Sequence, residues 1–168
     1  MELLKMAHLT SKLLVKLMEE SFIETQKVKQ AWVIVLMLTL TIFSILNFVK
    51  MPLSFASIAP LTIIFLGNLL LISLKLTTLI NKEGIYIQLF PLHFKTLYFN
   101  WSDVATIEVR KYKPIKEYGG WGYRFSFNNG KAYNISGNMG LQLVLKNGDK
   151  ILIGTQKSEE LLAFLKNN

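Results

Sequence analysis

Ala31–Val49 reads AWVIVLMLTLTIFSILNFV, 19 residues without a charge. As an α-helix it spans roughly 28 Å, close to the thickness of a bilayer's hydrocarbon core. Met51–Leu74 supplies 24 further uncharged residues, enough for a second and tilted span. The connector around Phe48–Ser54 carries Lys50 and Pro52, which suit a tight turn. Two spans joined so closely run antiparallel, so both chain ends are expected on one side of the membrane. The block also explains the mean hydropathy of +0.35 in a chain of 168 residues. That length accommodates a helical hairpin and one compact domain.

Working outward, Lys27 and Lys29 precede the first span and Lys75 and Lys82 follow the second, against Lys50 alone in the connector. Lysine excess marks the cytoplasmic side, so both termini are expected there. Pro60, Gly67 and Asn68 interrupt the second span, and they read as a mild kink and close packing of the helix pair. Neither span carries an ionisable residue at depth, and two helices enclose no pore. Residues 3–23 have Leu3, Met6, Ala7, Leu13, Leu14, Leu17 and Met18 on one helical face and Lys5, Lys12, Lys16 and Glu19 on the other. The expectation is an amphipathic helix within residues 1–30, lying on the membrane surface or packed against protein.

From Gly84 the period of the pattern changes to two. Ile85, Ile87 and Leu89 alternate with Tyr86, Gln88 and Phe90; Leu97, Phe99 and Trp101 with Tyr98 and Asn100. Ile107–Arg110 and Tyr123–Phe127 alternate in the same way, and Lys131–Ser136, Leu141–Lys146 and Lys150–Gly154 complete seven strands. Asn129-Gly130 and Asn147-Gly148 between such runs are strong hairpin signals. Ser158–Lys166 follows as a helix, with Glu159 and Glu160 in its first turn and an apolar face of Leu161, Leu162, Phe164 and Leu165. Seven antiparallel strands hide their edges best by curling into a barrel or an orthogonal sandwich, with the helix plugging the open end. The predicted organisation is an N-terminal helix within 1–30, spans at 31–49 and 54–76, an external turn at 50–53, and an all-β domain over 82–168.

Seven strands capped by a C-terminal helix resemble the pleckstrin-homology (PH) topology. Phe99-Asn-Trp-Ser-Asp-Val104 resembles a strand end and turn of bacterial PH-like domains. Arg110–Gly122 (RKYKPIKEYGGWG), Ala132–Asn138 (AYNISGN), Ile153–Gln156 (IGTQ), and Phe22–Lys27 (FIETQK) followed by Trp32 resemble an uncharacterised bacterial family of two-span membrane proteins with a PH-like domain. The similarity covers about residues 22–168. It implies a PH-like barrel behind a membrane hairpin, in the bacterial cytoplasmic membrane, and assigns no activity to any residue.

Two glycine-rich segments are candidate binding elements: Tyr118, Gly119, Gly120, Trp121 and Gly122, and Asn134, Ser136, Gly137 and Asn138. Their amides could cradle an anion or a peptide carboxylate; equally, glycines there supply turns. Neither segment has the Gly-Lys-Ser/Thr of a phosphate loop. Arg110, Lys111, Lys113 and Lys116 form a candidate anionic-lipid patch. Nucleic-acid binding is not expected, because Phe125 and Phe127 alternate as core rather than interleaving with the basic face. With no cysteine and only His8 and His93, a Cys-rich zinc site and a Cys nucleophile are excluded. His93 is expected to be exposed in a hairpin loop. No nucleophile, base and orienter set is readable, so no catalytic residue, metal or cofactor is assigned.

The expected function is therefore a membrane-anchored, non-enzymatic module that binds a protein or peptide partner, or a sibling subunit, at the inner face of the membrane. The alternative is an accessory subunit of a transporter or membrane enzyme, using the hairpin as its interface.

Overall fold

A computed structural model describes residues 20–167. The amphipathic segment of the N-terminus lies mostly outside these residues. Two helices carry the apolar block: α1, Ala31–Lys50, and α2, Phe55–Ser73. Each is long and apolar enough to cross a membrane, and Ser44 and Ser57 are the buried residues on them. The turn between them is fixed by Ser57, whose hydroxyl donates to the Pro52 carbonyl at 3.0 Å and accepts from the Ser54 amide at 3.0 Å. Asn68 Nδ2 donates to Thr41 Oγ1 at 2.7 Å, tying α2 to α1. Gly67 takes no part in that packing, since a Cβ there would meet nothing within 4 Å.

Among the described residues, nine strands form two sheets. The first has the order β1-β2-β3-β4, with β1 at Phe22–Lys27, β2 at Lys75–Ile80, β3 at Gly84–Phe90 and β4 at Leu97–Asn100, all antiparallel. The second has the order β5-β8-β9-β7-β6: β5 at Val104–Lys111, β6 at Gly122–Ser126, β7 at Gly130–Asn134, β8 at Met139–Leu145 and β9 at Lys150–Thr155. A short helix α3, Pro114–Tyr118, precedes β6, and α4, Ser158–Asn167, follows β9. Leu76, Ile80, Ile85, Ile87, Leu141, Leu143, Ile153 and Leu161 form the main core between the sheets and α4.

Four expectations are corrected. The strands make two separate sheets rather than a closed barrel. They are not all antiparallel: β7 and β9 pair in parallel, Lys131 opposite Ile151 and Tyr133 opposite Ile153. The β region does not begin at residue 82, because β2 starts at Lys75, directly after α2, where the second span was expected to run to 76. Residues 22–27 are strand and not the end of an amphipathic helix; β1 pairs with β2 along its whole length, Phe22 opposite Ile80 and Lys27 opposite Lys75. The helix pair is thus inserted between two neighbouring strands. Both hairpins marked by Asn-Gly are present, β6–β7 and β8–β9.

Strand β1 explains why this insertion was hard to read. Its inward residues are Phe22, Glu24 and Gln26, two of them polar. They are spent on the second sheet. Glu24 Oε2 accepts from Thr155 Oγ1 at 2.6 Å and Oε1 from the Gln156 amide at 2.8 Å. Gln26 Nε2 donates to the Gly154 carbonyl at 2.6 Å. Just beyond the strand, Gln30 Nε2 donates to the Ile135 carbonyl at 2.7 Å. Buried polar groups persist when they are hydrogen-bonded, and here they clamp β1, and with it the start of α1, across the two sheets.

Candidate functional site

The two glycine-rich segments are brought together. Tyr118 ends α3, and Gly119 takes the left-handed conformation, φ 74°, that terminates it. The Gly119 amide donates to the Ile115 carbonyl and the Gly120 amide to the Pro114 carbonyl, both at 3.0 Å. The Gly122 amide donates to Asn134 Oδ1 at 2.8 Å, and the Trp121 indole to the Gly137 carbonyl at 2.9 Å. The Asn138 carbonyl accepts from the Tyr112 amide at 2.8 Å. Ser136 Oγ accepts from the Gln156 side chain. Tyr118 and Asn134 are buried, and Tyr118 joins Tyr112, Ala132 and Leu152 in a second small core on the outer face of the five-stranded sheet. The amides of Gly119, Gly120 and Gly122 are thus engaged within the chain.

Burial pushes the Tyr112 hydroxyl up to about 12 and that of Tyr133, which lies beside Tyr123, up to about 12. Both values exceed the unfolded phenol's value of about 10, so the folded state holds these protons more tightly. Their stabilising contribution is complete below pH 10 and is lost as pH rises from about 10 to about 12. The urea midpoint is expected to fall over that window, and Tyr112→Phe to blunt the fall.

The candidate lipid patch is divided by the structure. Arg110 Nη2 meets Glu117 Oε2 at 2.8 Å, its side chain and that of Glu117 each 24% exposed, and Arg110 also bonds Gln142. Burial alone would raise the Glu117 carboxyl, but hydrogen bonds from Arg110 and the Lys113 amide outweigh it and hold the group low. Lys111, Lys113 and Lys116 are exposed.

Other side chains depart from expectation. His93 is half-buried: its ring lies edge-on to Tyr123 and Tyr133, with centroids 4.8 and 5.5 Å away. Phe125 and Phe127 are not core; they are 60% and 97% exposed on the edge strand β6 and the turn after it. No group of three or more His, Cys, Asp or Glu able to hold a metal exists among the described residues.

A cleft of about 440 Å³ opens where α4 meets the β4–β5 corner, lined by Asn81, Lys82, Trp101, Ile107, Phe164 and Leu165. Sequence reasoning missed it. The apolar stripe of α4 and the half-buried Trp101, whose indole donates to the Asn81 carbonyl at 2.8 Å, are its readable components. Beside it β5 is the edge of the five-stranded sheet, and most of its residues are exposed. Edge strand, apolar cleft and flanking Lys82 together suit an extended peptide with an apolar side chain.

No family model, curated protein or solved structure matches the chain.

Proposed function

We propose that the chain is a membrane-anchored, non-enzymatic interaction module, a PH-like domain held at the inner face of a bacterial cytoplasmic membrane by its helical hairpin. The observation that carries this reading is the insertion of α1 and α2 between paired strands. Three residues, 28–30, join β1 to α1, and Leu74 alone joins α2 to β2. Joints that short hold the domain at a fixed height and orientation beside the bilayer. A partner is met at high local concentration, so a weak affinity suffices.

The PH-like assignment draws support from the strand order. If α3, β6 and β7 are taken as an insertion between β5 and β8, a four-stranded sheet, the meander β5-β8-β9 and α4 remain. That is seven strands and a C-terminal helix, although a different seven from those expected. The receiving surface favoured by the geometry is the cleft at Trp101, Ile107 and Phe164 together with the β5 edge, where a protein or peptide segment, or a sibling subunit, adds as a strand.

The accessory-subunit reading is favoured by one observation: among the described residues, α1 and α2 each have a single buried residue and leave many large apolar side chains exposed. Photo-crosslinking separates the two. A photoreactive residue at Ile107 is expected to trap the partner and one at Phe43 to trap only lipid. Protein adducts confined to Phe43 would favour the accessory role instead.

A further inference from the structure

The register places one further set of side chains together. Lys27 lies opposite Lys75, and Lys75 opposite Phe90, so the turn after β3 sits at the end of the first sheet from which both helices leave. The second sheet shares that end through Gln26 on Gly154 and Gln30 on Ile135. Along it, Thr155 lies opposite Met139 and Met139 opposite Lys111. Lys27, Lys29, Lys75, Lys95, Lys111 and Lys113 therefore rim the hairpin end.

Among the described residues, carboxylates are scarce there. Glu117 and Glu160 are engaged by Arg110 and Lys157, Glu24 is buried, and Glu159 stands in the first turn of α4. Glu83, Asp103 and Asp149 fall at the opposite end, in the turns after β2, β4 and β8. Within the rim, the turn at 91–96 presents Leu92 at 49% and Phe94 at 75% exposure. The turn is held in place: Gln88 Nε2 donates to the Phe94 carbonyl at 2.7 Å, the Phe94 ring meets Phe90 edge-on at 5.6 Å, and Lys75 Nζ lies 5.8 Å from the Phe90 ring centroid.

We propose that this rim is a second membrane contact: Leu92 and Phe94 dip into the headgroup region of the bilayer that holds α1 and α2, and the surrounding lysines meet anionic lipid headgroups. Apolar tips ringed by lysine match an interface whose outer layer is anionic and whose next layer is hydrocarbon. The turn is also held beside the residue where α2 ends, so reaching the interface costs no rearrangement. The contact lies at the turn after β3 and at Lys27, Lys29 and Lys75, not at the 110–116 cluster alone, where Arg110 is already paired. It rests on the reading that α1 and α2 span the membrane, and it gives the module a preferred tilt that leaves the α4 cleft facing away from the lipid.

The test uses the full-length chain, which has no cysteine of its own. Phe94→Cys, Leu92→Cys, Ile42→Cys and Lys146→Cys are each labelled with an environment-sensitive fluorophore. Each is then reconstituted in phosphatidylglycerol-rich or pure phosphatidylcholine vesicles carrying nitroxide-labelled lipid. The expected result is strong quenching at Ile42, none at Lys146 on the far turn, and clear quenching at Phe94 and Leu92 in the anionic vesicles. Combining Lys29→Glu, Lys95→Glu, Lys111→Glu and Lys113→Glu should remove the quenching at Phe94 and leave that at Ile42. Quenching at Phe94 and Leu92 no greater than at Lys146, with Ile42 quenched, overturns the contact and spares the spanning reading. Equal quenching in neutral vesicles and in the charge-reversed chain overturns the role of anionic lipid. An unquenched Ile42 overturns both readings.

Discussion

Residues 81–168 expressed alone are expected to lack a cooperative unfolding transition, whereas a chain joining residues 20–27 to 75–167 through an Asn-Gly turn is expected to fold. The isolated segment loses β1 and β2, half of the four-stranded sheet, and with them Phe22, Leu76 and Ile80, each no more than 3% exposed. Burying side chains of this kind stabilises by about 1.5–3 kcal/mol each, comparable in sum to the net stability of a small domain. The joined chain keeps all of this, because Lys27 already faces Lys75 and a two-residue turn is the natural closure of an antiparallel pair. Circular dichroism and urea titration of the two proteins check the prediction. A sharp, two-state transition from 81–168 alone would make β1 and β2 peripheral.

The second large effect is expected at Glu24. Glu24→Ala removes the acceptor for Thr155 Oγ1 and for the Gln156 amide at a position 4% exposed. Hydrogen bonds to a charged group contribute about 1.5–3 kcal/mol, and stranded buried donors add to the loss. A destabilisation of about 3 kcal/mol is expected in the joined chain, together with faster amide exchange along β1. Ile23→Ala, half-exposed on the opposite face of the same strand, should cost well under half as much. Equal costs at the two positions would mean that the clamp between the sheets contributes nothing.

The legible parts of this fold are those with a local signal. The two apolar helices, the strands from Ile85 onward, the Asn-Gly hairpins and α4 each carry a period or a turn within a few residues. The joint between membrane segment and domain carries none. Only Lys75 interrupts the apolar run between α2 and Leu76–Ile80 (LTTLI), and no turn residue separates span from strand. Phe22–Lys27 turns Glu24 and Gln26 inward, against the apolar-inside rule, because their partners Thr155 and Gly154 lie more than 120 residues away in β9. The parallel pairing of β7 with β9 carries no local signal either, because β8 intervenes in sequence between the two.

The candidate site was less legible than the fold. The glycine-rich segments drew notice as donors of free amides, but positive φ at Gly119, Gly120 and Gly122 serves a turn whose amides are satisfied internally. Phe125 and Phe127 obey a strand's alternation yet lie on an edge that nothing covers among the described residues. The cleft beside α4 has no sequence motif. It arises where Asn81, Trp101 and Phe164 meet from three distant elements.

An antiparallel helix pair that crosses a membrane leaves the β region on the side opposite its own turn. Single cysteines at Leu53, 79% exposed in the α1–α2 turn, and at Lys146, on the far turn of the β region, test it with a membrane-impermeant thiol reagent on intact cells. Leu53→Cys is expected to label from outside and Lys146→Cys only after permeabilisation. Labelling of both from the same side, before or after permeabilisation, would contradict that arrangement.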